Sequence, residues 1–258
     1  MTRSLLKICC VVFPACFCCA GSLLAEDNNT HTDRTMNEKL NLTQEWDKVF
    51  PKSGKVTHRK VSFRNRYGVT LAADLYMPRN VNGKLPAIAV SGPFGAVKEQ
   101  SAGLYAQTMA ERGFLTIAFD PSYTGESGGF PRYVASPDIN TEDFCAAVDY
   151  LSTRDDVDSE RIGIIGICGW GGMAVNAAAI DTRIKATVTS TMYDMSRVNA
   201  NGYFDAMDAA ARYELRKQLN AQRTADAKNG SYALAGGVPD PLPADAPGFV
   251  KDYYDYYL

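Results

Sequence analysis

From Thr57 onward the chain alternates between two kinds of hydrophobic pattern. In THRKVSFRNRYGVTLAADLYMP, apolar and polar residues take turns over about 58–64 and again over 69–77, with Arg66-Tyr67-Gly68 between them. Alternation with a glycine-bearing break predicts a hairpin. PAIAVSG (86–92), FLTIAFD (114–120) and RIGIIGI (161–167) are short, nearly unbroken apolar runs between turn residues, and RIKATVTST (183–191) is a further strand candidate. Runs of that length without a polar face suit strands covered on both sides.

Helical spacing fills the gaps. Helix-forming residues extend to Arg112 and stop at Gly113, the usual residue just past a helix end. DINTEDFCAAVDYLSTR predicts a helix capped by Asn140 or Thr141, with Phe144, Ala147, Val148 and Leu151 on one face. MAVNAAAI (173–180) predicts another. Strands alternating with helices imply an α/β fold: a mostly parallel central sheet with helices on both faces. The core is expected over 56–198, preceded by a polar lead-in at 26–55. Beyond 192 the pattern becomes helical over 203–228, with Phe204, Met207, Ala211, Leu215 and Leu219 at helical spacing. GGVPDPLPADAPG then breaks regular structure and the chain closes on DYYDYYL, so 199–258 is expected to be a helical cap with no further strand.

Composition narrows the function classes. The 258 residues are 46% hydrophobic with a formal net charge of −2, enough for one sizeable core and a poor match for nucleic acid. Five of the seven cysteines (9, 10, 16, 18 and 19) lie in the first 19 residues, leaving Cys145 and Cys168 in the body, so no disulfide framework is expected. Arg3 and Lys7 precede an apolar stretch ending in small residues, the layout of a secretory signal peptide over 1–25 with cleavage after Ser22 or Ala25. The expected mature protein is exported, periplasmic or extracellular, and has no membrane span after cleavage. Two scattered histidines and no CxxC beyond residue 19 leave no metal site of the usual spacings supported, and the glycine-rich turn follows a late strand, unlike a dinucleotide fingerprint. No cofactor is expected.

The chemistry concentrates in GIIGICGWGGM (163–173). A strand leading into Gly166-Ile167-Cys168-Gly169 and then a helix is the arrangement of a nucleophile elbow. A sharp turn needs neighbours without bulk, and the following helix start offers free N–H groups and a positive dipole end that favour a thiolate and a developing oxyanion. The same spacing also suits a small buried cysteine at a tight strand–helix junction. Trp170 stands where an elbow usually has a small residue. Cys145, among apolar helical residues, is expected to serve packing.

Residues 57–195 resemble the α/β-hydrolase superfamily, in its dienelactone-hydrolase-like branch. SGPFGAVKEQ (91–100) is similar to the oxyanion loop after the third strand, FDPSYTGESGG (119–129) to an Asp-x-x-x-x-Gly-x-Ser loop after the fourth, and GICGWGG (166–172) to the elbow. The resemblance implies acyl transfer on a small-molecule ester, thioester or lactone. Cys168 would be the nucleophile, and the N–H of Gly169 with that of Phe94 or Gly95 would form the oxyanion hole. Asp120, Gly125 and Ser127 would shape a loop, and Tyr123 and Trp170 would stand on the pocket rim.

Such enzymes place an acid and a histidine after the nucleophile. The two histidines here, His31 and His58, both precede Cys168. The expectation is a C-terminally truncated hydrolase that is inactive as given. A non-catalytic binding module and a peptidase-like hydrolase related to dipeptidyl-peptidases are the alternatives.

Overall fold

The computed structural model of the chain describes residues 39–235 and 237–258. The signal-peptide reading over 1–25, and His31 with it, lie outside the described residues.

The predicted hairpin is β1 (Val56–Arg64) and β2 (Thr70–Pro78), antiparallel from Val56 opposite Pro78 to Arg64 opposite Thr70. β3 (Leu85–Ser91), α1 (Ser101–Ala110), β4 (Leu115–Phe119), α2 (Pro137–Ser152), β5 (Val157–Ile167), α3 (Gly169–Ile180) and β6 (Ile184–Ser190) follow. The six strands lie in the order β1-β2-β4-β3-β5-β6. β2 pairs antiparallel with β4, and β4, β3, β5 and β6 run parallel.

Each apolar run serves two faces, because neighbouring side chains on a strand point to opposite sides. Ala87, Ala89, Leu115, Ile117, Phe119, Ile162 and Ile164 pack against α2 and α3 through Phe144, Val148, Leu151, Met173 and Ala177. Their neighbours Ile88, Val90, Ala118, Ile165 and Ile167 meet Ala102, Ala106 and Ala110 of α1. Helices therefore cover both faces, as the strand patterns require.

Several boundaries differ from expectation. α2 begins at Pro137 with Ser136 as its cap residue, one turn before Asn140 and Thr141. Proline suits the first helical position, where its missing N–H is no loss. Asn140 instead reaches back: its Oδ1 accepts from Ser136 N–H at 2.9 Å. The lead-in is also less detached than its polarity suggests. Phe50 and Lys48 are buried, and Trp46 Nε1 donates to the Phe50 carbonyl at 2.9 Å. Beyond β6 the chain forms α4 (Met195–Asn201), a 3-10 turn (Tyr203–Asp205), α5 (Ala209–Asn229) and α6 (Gly248–Tyr257). α6 covers the tyrosine-rich end of the 199–258 segment. Among the described residues no helix is long and apolar enough to cross a membrane.

Candidate active site

Cys168 joins β5 to α3 with φ +57° and ψ −126°, a backbone region that non-glycine residues seldom enter. Three hydrogen bonds hold it there. Its N–H donates to the Ser190 carbonyl at the end of β6 (2.9 Å), and its carbonyl accepts from the N–H groups of Gly171 (2.9 Å) and Tyr193 (3.1 Å). The thiol is half-buried.

The flanking glycines are required by space. A Cβ on Gly166 would stand 2.3 Å from the Trp170 carbonyl oxygen, and one on Gly169 would stand 2.6 Å from Met195 Cγ and 3.1 Å from Phe94 Cβ. The second clash also locates the loop after β3: Phe94 lies directly against the start of α3. Among the described residues the N–H groups of Phe94, Gly95 and Gly169 have no hydrogen-bond acceptor. Unpaired amides at a helix start are what a developing negative charge needs. The structure thus brings Cys168, Gly169, Phe94 and Gly95 together.

Tyr123 and Trp170 are the two residues expected on the rim. Tyr123 is partly buried at φ +70°, its N–H donating to Gly128 O at 2.8 Å, with its ring against Gly129. Trp170 is not on the rim. It is 4% exposed, with its ring among Phe119 and Phe144 at centroid distances of 6.4 and 5.9 Å. The first turn of α3 rotates this side chain down onto the sheet, so the bulky residue two after Cys168 fills core and leaves the elbow open.

Beneath the loop after β3 lies a buried ionic cluster that sequence reasoning missed. Lys98 is 1% exposed, and its Nζ lies 2.6 Å from Glu99, 2.8 Å from Asp120 and 2.7 Å from Glu126. Burial alone would push this ammonium down, but Asp120 and Glu99 hold it well above the ordinary lysine range. Lys60 also reaches Glu126, at 2.6 Å. Burial raises the Glu126 carboxyl, but hydrogen bonds from Lys60 and Lys98 outweigh it and bring it down to about 2. The carboxylates of Glu99, Asp120 and Glu126 come within 4.8 Å of one another, close enough for a metal ion, but the Lys98 ammonium already sits among them. They fit a lysine rather than a metal. Asp120 further accepts from Glu126 N–H at 2.9 Å, and its carbonyl accepts from Ser127 Oγ at 2.7 Å. Asp120, Gly125 and Ser127 are therefore structural: they fold the loop after β4 around the lysine.

His58 is remote. It lies on β1, four strand positions from β5 and so on the order of 19 Å across the sheet. Its Nε2 is 2.8 Å from Asp74 Oδ1, and Asp74 also pairs with Lys48 at 2.9 Å. Cys145 behaves as a packing thiol, pushed up to about 11 by burial and then by Asp181. A hollow of about 510 Å³ lies on the sheet face at Ile88, Phe114, Ile162, Ile164 and Val188 and does not include Cys168.

Comparison with known proteins fits this geometry. The model of the X-Pro dipeptidyl-peptidase (S15) family matches residues 67–235. The chain belongs to that family. Its strand order, elbow and loop placement are those of an α/β-hydrolase, and solved structures of that fold align with it. The Pseudomonas aeruginosa protein PA2218 is 63% identical over 223 residues, which is 86% of this chain and 60% of that protein. Its crystal structure superposes with a TM-score of 0.82 over 86% of this chain and 69% of that one. Escherichia coli YcjY is 40% identical over 205 residues, 78% of this chain and 67% of the relative. A protein named thiohydrolase aneE from Aspergillus aculeatus is 33% identical over 133 residues, 52% of this chain and 41% of its own length. The chain thus spans about 60% of PA2218.

Proposed function

We propose that Cys168 is an acyl acceptor for ester, thioester or lactone substrates, and that the chain as given acylates far faster than it turns over. The observation that carries this reading is the left-handed backbone of Cys168 at a strand–helix junction, facing the free N–H groups of Gly169 and the 94–95 turn. The thiolate adds to the carbonyl carbon, the amides stabilise the resulting oxyanion, and the leaving alkoxide or thiolate departs with the carbonyl restored. The thiol proton passes to solvent. Water must then attack the thioester, and among the described residues no histidine adjoins it, since His58 is held by Asp74. Deacylation is therefore slow. The relative named thiohydrolase supports a thioester substrate for the same machinery.

The test is a stopped-flow burst with p-nitrophenyl acetate. The expected result is a release of up to one equivalent of nitrophenolate followed by a near-flat phase, both absent in Cys168→Ala. Sustained turnover, or an identical burst in the variant, contradicts it.

The family match at residues 67–235 favours a second reading, a peptidase cutting after an X-Pro pair. X-Pro anilides that acylate Cys168 faster than simple esters would select it. The proposal includes export, supported by the charged and apolar pattern of residues 1–25. A mature N-terminus after Ser22 or Ala25 agrees with it, and an intact Met1 in the secreted or cell-bound protein does not.

A further inference from the structure

The loop after β3 contains a tight turn. Ala96 N–H donates to the Pro93 carbonyl at 3.1 Å, and Gly95 has φ +84°. Those are the marks of a type II turn with Phe94 and Gly95 at its centre, where only a residue free of Cβ takes positive φ without strain. Type I and type II turns differ chiefly in the direction of the central peptide, here the Phe94 carbonyl with the Gly95 N–H. A flip between them reverses that N–H by about half a turn while leaving the rest of the loop in place. Glycine permits both states.

One side chain grips this peptide. Tyr257, on α6, donates its hydroxyl to the Phe94 carbonyl at 3.0 Å. The helix that carries it is anchored just beyond the turn: Gln100 Nε2 donates to the Tyr256 carbonyl at 2.7 Å, and Tyr256 Oη donates to Ser101 Oγ at 2.9 Å. The Tyr257 ring stacks on Tyr253 (6.1 Å) and meets Tyr256 edge-on (4.9 Å). It also lies close enough to the elbow that the Cys168 charge, after burial, helps push its phenol up to about 12.

We propose that Tyr257 is a positioning residue for acyl transfer: its hydroxyl holds the Phe94–Gly95 peptide in the one orientation that presents the Gly95 N–H to the oxyanion. The inference rests on Cys168 being the acyl acceptor. It assigns a role to the tyrosine-rich C-terminal helix and makes the oxyanion hole a two-state element biased from that helix.

Two reagents separate positioning from general disturbance. Acylation of the full chain by p-nitrophenyl acetate passes through an oxyanion. Alkylation by iodoacetamide displaces iodide at a saturated carbon and forms none, so it reads thiolate availability alone. Tyr257→Phe, which keeps the ring and loses the hydroxyl, is expected to slow acylation of Cys168 about tenfold, the worth of one hydrogen bond, and to leave alkylation unchanged. Tyr254→Phe, whose hydroxyl lies on the same helix 3.5 Å from Asp240, is expected to change neither. Acylation at the wild-type rate in Tyr257→Phe, or a parallel fall in both rates, overturns the inference while the role of Cys168 stands. A wild-type chain that is alkylated but never acylated at Cys168 overturns both.

Discussion

Lys98 and Asp120 are joined twice: the Lys98 backbone N–H donates to Asp120 Oδ1 and its Nζ donates to Oδ2, each at 2.8 Å. One residue belongs to the loop after β3 and the other directly follows β4. The pair therefore locks the loop after β3 to the loop that follows the neighbouring strand. Both side chains are fully buried. Lys98→Met would leave the Asp120 charge without its partner and is expected to cost about 3–5 kcal/mol. A lower urea midpoint with an unchanged slope is the measurement, and a midpoint equal to wild type would remove the lock from the account.

Glu126 gives the same cluster a pH signature. Its folded carboxyl is held at about 2, below the ordinary value of 4.5. A depressed carboxyl contributes stability that is fully present above the unfolded value and is lost as pH falls toward the folded one. The stability gap between wild type and Glu126→Gln is thus expected to be constant near neutrality and to shrink from about pH 5 toward pH 2. Urea melts of both proteins across that range read it directly. A gap that widens on acidification contradicts the assignment.

Trp170 tests the corrected view of the elbow. Its ring lies among Phe119, Phe144 and the α2–α3 side of the core. Trp170→Ala is expected to destabilise by about 3–5 kcal/mol, as large-to-small core changes do. In the folded variant the rate of Cys168 alkylation should change little, whereas a rim residue would show the opposite pattern.

How far the chain's pattern reveals this arrangement depends on whether the deciding contact is local. The strands were legible because Ala87–Val90, Leu115–Ala118 and Ile162–Ile165 must be apolar on both faces to be covered on both. The elbow was legible because Gly166 and Gly169 report tight space within a few residues of Cys168. The direction of Trp170 was not, since it depends on where the first turn of α3 points relative to the sheet. The start of α2 was misplaced because Asn140, Thr141 and Ser136 are all acceptable caps, and the proline at 137 decides among them. The lysine–carboxylate cluster joins residues as distant as Lys60 and Glu126, and the Tyr257 latch spans Phe94 to the last helix. No periodicity connects positions so far apart.

The account stands on the chemistry of one sulfur atom, and peptide mapping of the chain after brief exposure to p-nitrophenyl acetate examines it most directly. We expect one acetyl group on the peptide carrying Cys168 and none on Cys145. His58→Gln, which alters a residue on the far edge strand, should reach the same stoichiometry at the same rate. An unmodified Cys168 beside an acetylated lysine or Cys145, or acetylation that fails in His58→Gln, would contradict it.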